Sequence, residues 1–153
     1  MKKIKTIEAV NAYRTLKALK TTSLNEETMM SIWKNMKALR GISETYDKDI
    51  EEAQTSLKDD KLEEMQKKLE KCRDLENKAK DGYLYTKEDN DLFVEVNTFF
   101  AEYRKKTEDY FKQLSDAEVE VEIIEIEDAE LLKAIKASEL SFSDMETLGV
   151  ICK

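Results

Sequence analysis

The sequence predicts a mainly α fold: a long antiparallel helical hairpin, coiled-coil-like, with a small two-stranded β patch formed by the N-terminus and residues 119–126. Three observations carry that expectation. Apolar residues recur at alternating three- and four-residue spacing through most of the span from Asn25 to Leu114, the period of one helix face. Proline is absent, so no helix meets a missing N–H and a locked φ. From Val119 the apolar period drops abruptly to two, the signature of a half-buried strand.

The first helix is expected from Thr6, as its cap, to about Lys20, with Ile7, Val10, Tyr13, Leu16 and Leu19 on one stripe. Thr21-Thr22-Ser23 ends it, because short hydroxyl side chains compete for backbone hydrogen bonds. Ser23-Leu24-Asn25-Glu26 has the Ser-x-x-Glu form of a capping box and opens the second helix. That helix carries a seam of Met29, Ile32, Trp33, Met36, Leu39, Ile42, Tyr46, Ile50, Ala53 and Leu57. On this reading Trp33 is a core residue. The spacing jumps through Lys58-Asp59-Asp60-Lys61, a stutter or local break, and resumes at Leu62, Met65, Leu69, Cys72, Leu75 and Ala79. Unbroken, the helix would be roughly 80 Å long.

Asp81-Gly82 is the strongest turn signal in the chain. Tyr83-Leu84-Tyr85 reads as an apolar plug, and Thr86-x-x-Asp89 as the cap of a third helix. That helix presents Leu92, Phe93, Val96, Phe99, Phe100, Tyr103, Tyr110, Phe111 and Leu114, a stripe matched to the 62–79 seam. Beyond it Val119, Val121 and Ile123 alternate with Glu120 and Glu122. Adjacent Ile123 and Ile124 then flip the phase, which suggests a bulge or a strand buried on both faces before Glu125 and Ile126. A short helix follows over Asp128–Ile135, and Ser143-x-x-Glu146 is expected to cap a last turn. The whole is expected to form one elongated helical domain, residues 1–153.

Charged residues (39%) nearly match hydrophobic ones (41%), which leaves little loop composition and favours long amphipathic helices. A net charge of −8 argues against ordinary phosphate-backbone binding, so no direct nucleic-acid contact is expected. The charge is uneven. Lys2, Lys3, Lys5, Arg14, Lys17 and Lys20 crowd the first twenty residues, whereas 118–130 holds seven acids and no basic residue, so the two ends could neutralise each other. No apolar run approaches a membrane span or a signal-peptide core. Cys72 and Cys152 stand apart, as reduced thiols would in a cytosolic protein.

With no histidine, Ser-His and Cys-His nucleophile pairs and histidine metal sites are excluded. The three isolated glycines cannot build a phosphate loop. Carboxylate-only Mg²⁺ sites survive this filter. Glu44-x-x-Asp47, Glu88-x-x-Asp91 and Glu127-x-x-Glu130 have suitable spacing, but among 34 acidic residues such pairs arise by chance and read as solvated faces. No cofactor and no metal is expected.

The opening Lys3-Ile4-Lys5, Glu8-Ala9-Val10-Asn11-Ala12, the lysine-dotted helix Ile32–Leu39, the strand Glu118–Ile126 and the tail Glu139-Leu140-Ser141-Phe142-Ser143-Asp144-Met145-Glu146-Thr147-Leu148 together resemble an uncharacterised family of small phage and prophage proteins from siphophages of Gram-positive bacteria. The resemblance implies a phage origin and action in the cytoplasm of an infected cell, with no activity to carry over.

The functional expectation is a non-enzymatic protein–protein interaction protein, assisting assembly or binding a host factor. Its partner is a protein, either a host or virion component or a second copy. The candidate interaction surface is Val119, Glu120, Val121, Glu122, Ile123, Ile124, Glu125 and Ile126, because an unpaired strand edge there could recruit a further strand. The alternatives are an acidic inhibitor that sequesters a host nucleic-acid enzyme, and a carboxylate-Mg²⁺ nucleotide hydrolase.

Overall fold

The structure, a computed structural model, describes residues 1–58 and 60–153. In chain order the elements are β1 (Lys2–Lys5), α1 (Thr6–Ala18), α2 (Glu26–Ser56), α3 (Leu62–Lys80), α4 (Lys87–Asp116), β2 (Glu118–Val121), α5 (Asp128–Ala137) and α6 (Phe142–Thr147). A single 3₁₀ turn, Leu148–Val150, follows α6. The fold is mainly α with one two-stranded antiparallel sheet, as the apolar periods require. Two compact units make it up: residues 1–51 with 112–153, and residues 52–111.

The first unit holds the larger core. Ala9, Ala12, Tyr13 and Leu16 of α1 pack with Ile32 and Leu39 of α2, Leu131, Ala134 and Ile135 of α5, and Leu148 and Ile151 of the C-terminal segment. β1 and β2 pair with Lys2 opposite Val121 and Lys5 opposite Glu118. Ile4 and Val121 are buried in this core and Val119 packs on its rim.

The second unit is a helical hairpin. Met65 and Cys72 of α3 and Val96 of α4 are its buried contacts, with Leu69, Leu92, Phe93, Phe99 and Phe100 half-buried around them. Lys68 bridges the two helices to Glu95 at 2.7 Å. The turn needs glycine where expected, because Gly82 has φ +92°, a backbone region that L side chains rarely enter. The α4 cap also forms as expected: Asp89 N–H donates to Thr86 Oγ1, and Thr86 N–H donates to the Asp89 carboxylate.

Of the stutter and the local break read between the two seams, the structure has the break: α2 ends at Ser56 and α3 starts at Leu62. Several expectations are corrected. The 119–126 strand is shorter, ending at Val121, for the reason given in the next subsection. Of the Lys58–Lys61 break, Asp59 lies outside the described residues. Thr6 is not a cap but the first helical residue. It is buried and donates its hydroxyl to the Ala117 carbonyl, while Glu8 receives the Lys5 amide. Asn25, not Ser23, caps α2, accepting from the Thr28 amide. Ser141 with Asp144, two residues earlier than expected, caps α6. Tyr83-Leu84-Tyr85 is no plug: Leu84 is exposed, and Tyr85 only edges against Phe93 at 4.9 Å. Tyr110 is likewise on the outside of the α4 stripe.

Candidate interaction surfaces

The β patch has a backbone logic that follows from its register. Partners in the sheet sum to a constant, and Thr6 N–H donating to the Ala117 carbonyl at 2.8 Å extends that series by one pair. In an antiparallel ladder, mutually bonded pairs alternate with unbonded ones. Thr6/Ala117, Ile4/Val119 and Lys2/Val121 are therefore the bonded pairs. The amides and carbonyls of Lys3 and Lys5 point away from β2, and those of Glu118 and Glu120 point away from β1. Glu8 takes the outward Lys5 amide; among the described residues nothing bonds the outward groups of Lys3, Glu118 and Glu120.

Charge follows the same alternation. Lys3, Lys5, Glu118 and Glu120 share the wet face. The ion pairs run diagonally, Lys3 to Glu118 at 2.5 Å and Lys5 to Asp116 at 3.0 Å, so the two ends neutralise each other through these acids and not through Glu120, Glu122 or Glu125. Diagonal pairing is what strand twist brings within reach of long side chains. The Asp116 carboxylate holds the Lys5 ammonium above its ordinary range, first by hydrogen bonding and then by charge. Lys2 takes a different partner, donating to the Val150 carbonyl at 2.8 Å.

The phase flip at Ile123-Ile124 marks a change of partner. Past Val121 the chain leaves β1 and is held by a side chain instead. The Asn35 carboxamide accepts from the Ile124 amide and donates to the Ile124 carbonyl, both at 2.8 Å. Asn35 is 1% exposed and does the work of a neighbouring strand. Ile126 then pairs in parallel with the C-terminus, donating to the Ile151 carbonyl and accepting from the Lys153 amide. Thus Val121 and Ile126 are buried, Val119 and Ile123 are half-buried on the same core, and Ile124 is half-buried. Glu120, Glu122 and Glu125 are exposed. Of the eight candidate residues, Val119, Val121, Ile123 and Ile126 pack on the core and the acids face water.

A second surface lies on α2, where sequence reasoning expected core. Trp33 is 55% exposed and Met30 52%. The buried stripe of α2 is rotated from the expected seam and runs through Thr28, Ile32, Asn35, Leu39 and Ser43. Met30, Trp33, Lys34, Lys37, Arg40, Gly41 and Glu44, all exposed, form the opposite stripe at three- and four-residue spacing. Lys37 Nζ lies 5.3 Å from the Trp33 ring centre. Among the described residues no carboxylate forms an ion pair with Lys34, Lys37 or Arg40. The buried polar positions Thr28, Asn35 and Ser43 were the available signal: they keep the same three- and four-residue beat and pass for a solvent face.

The spaced carboxylates do not converge. Asp47 pairs with Arg14 at 2.7 Å, Glu130 with Lys133 and Glu127 with Lys153. Among the described residues there is no group of three or more potential metal ligands. Burial pushes the Cys72 thiol up, and burial with the neighbouring Asp128 pushes Cys152 up to about 11, its Sγ donating to the Leu148 carbonyl at 3.3 Å. No helix among the described residues is long and apolar enough to cross a membrane. In comparisons with known proteins, no family model, curated protein or solved structure matches the chain.

Proposed function

We propose that this chain is a non-enzymatic protein-interaction protein of phage or prophage origin, working by surface recognition inside an infected bacterium. The observation that carries the reading is Trp33: a large aromatic side chain over half exposed on a rigid helix, beside Met30 and three cations without an ion-pair partner. Tryptophan and arginine dominate the energetics of protein interfaces, and burying them on a partner removes apolar area from water. The free edge groups of Glu118 and Glu120 support strand addition as a second mode of contact, although four-residue charged edges resist pairing with a copy of themselves.

Sequestration of a nucleic-acid enzyme by the acidic segment is the weaker reading. It keeps Glu120, Glu122 and Glu125, but Lys3 and Lys153 already engage Glu118 and Glu127.

The test is site-specific photocrosslinking in infected cells, with the crosslinker placed at Trp33, Glu120 or Glu70 of the other unit. A discrete adduct from position 33 or 120 that position 70 does not give is expected. No position-specific adduct, together with divalent-dependent turnover of nucleotides by the pure protein, would replace binding by catalysis.

A further inference from the structure

We infer that the outward stripe of α2 seats an acidic amphipathic helix from a protein partner; this deepens the interaction reading above and rests on it. Three observations on the same stripe converge.

The first is shape. Met30, Trp33, Lys34, Lys37, Arg40, Gly41 and Glu44 repeat with the period of a helix face, so they present a straight row to which a second helix can lie nearly parallel. Met30 and Trp33 supply apolar anchors at one end of the row.

The second is charge. Between Met30 and Gly41 the row holds Lys34, Lys37 and Arg40 and no acid, in a chain of net charge −8. Among the described residues, surface cations such as Lys17, Arg73 and Arg104 also form no carboxylate ion pair, but Lys34, Lys37 and Arg40 share one helix face with an exposed tryptophan and no intervening acid, so the complement of that face is anionic.

The third is Gly41. A glycine inside a helix costs about 1 kcal/mol relative to alanine. Close packing does not require this one: a Cβ built there, at the edge of a groove shared with Thr45, Leu114 and Val119, meets no atom within 4 Å. Its φ is not in the left-handed region, so the backbone does not require glycine either. What a missing side chain at an exposed helix position does permit is close approach of another backbone, and a helix laid along the row would cross it there.

Nucleic acid fits the row less well. One tryptophan and three cations, bounded by Glu26 and Glu27 at one end and Glu44 at the other, give a short positive segment without a run of stacking rings.

Trp33 is the one tryptophan of the chain, so its emission reads the site directly. The full-length protein is titrated with a synthetic helical peptide of about 14 residues, Leu at three- and four-residue spacing and Glu flanking. A sequence-matched peptide with Lys for Glu, an oligothymidylate and an anionic lipid vesicle are run beside it. Expected is a saturable blue shift with the Glu peptide only, weakening at least tenfold as salt rises from about 0.1 to 0.5 M. Binding read from a labelled peptide should fall at least tenfold in Trp33→Ala, in Lys34→Glu/Lys37→Glu/Arg40→Glu and in Gly41→Leu. Their melting temperatures should stay within a few degrees of the parent, since these positions are outside the core. No saturable shift, equal binding of the Lys peptide, preference for the oligothymidylate or vesicle, or a Trp33-dependent dimer in sedimentation would each overturn the assignment. Should a specific crosslink from position 33 persist while the Glu peptide fails, the partner's chemistry is wrong and the interaction reading stands.

Discussion

At the residue scale, Asn35 and Trp33 exchange the roles that hydrophobicity assigns them. Asparagine is buried because its carboxamide matches one backbone amide and one carbonyl, and the apolar stripe can turn only as far as that match allows. Single-sequence periodicity could not see this, since the partner is 89 residues away. Asn35→Ala should cost about 2–4 kcal/mol in denaturant unfolding, because it leaves two buried backbone groups unsatisfied. Trp33→Ala measured beside it should cost less than about 0.5 kcal/mol. A second residue-scale device is titratable. Asp89 accepts from the Thr86 amide and the Tyr83 hydroxyl, and these bonds lower its carboxyl below its ordinary 3.8. The same contact raises the Tyr83 phenol above its ordinary 10. The Asp89 contribution is therefore complete above pH ~4 and lost as pH falls through its lowered folded value. That of Tyr83 is complete below pH ~10 and lost as pH rises through its raised value. Asp89→Asn should flatten the acid arm of the melting temperature, and Tyr83→Phe the alkaline arm. Unaltered arms in both variants would mean the cap is not felt.

Among the elements, helices were legible wherever caps and period agreed, as at Thr86 and Asp89. They slipped where two capping residues lay close together, as at Ser23 and Asn25. The β patch was legible as a pairing of the two charged ends, but its extent was not. Four residues is as far as β1 reaches, and alternation in the sequence continues past the point where the partner changes. Deleting residues 1–5 should therefore raise exchange at the amides of Val119 and Val121, which bond to β1. The amides of Ile124 and Ile126, held by Asn35 and Ile151, should keep most of their protection. Hydrogen exchange resolved to single amides separates the outcomes, and loss of protection at all four would mean that the sheet supports the whole segment.

On the scale of the whole molecule, the charge sum was legible and the division into two units was not, because each long apolar stripe runs on through the boundary. The units differ in what they bury. Among the described residues, 1–51 with 112–153 enclose fifteen clustered core residues, whereas 52–111 cluster three. Exchange in native conditions should accordingly show lower opening free energies for α3 than for α1 and α5, which follows from the thinner apolar contact. Equal protection throughout would show that the two units open as one. The larger unit is also discontinuous: Lys2 reaches the Val150 carbonyl 148 residues later. During synthesis, at about 5–20 residues per second, the strand partner of Ile4, Val119, leaves the ribosome only about ten seconds after it does. The hairpin between them closes through local contacts on a scale of microseconds to milliseconds. Its completion shortens the loop that the ends must later close. On the ribosome, then, the middle of this chain folds first, and the N-terminal segment waits, exposed to chaperones, until the last residues arrive.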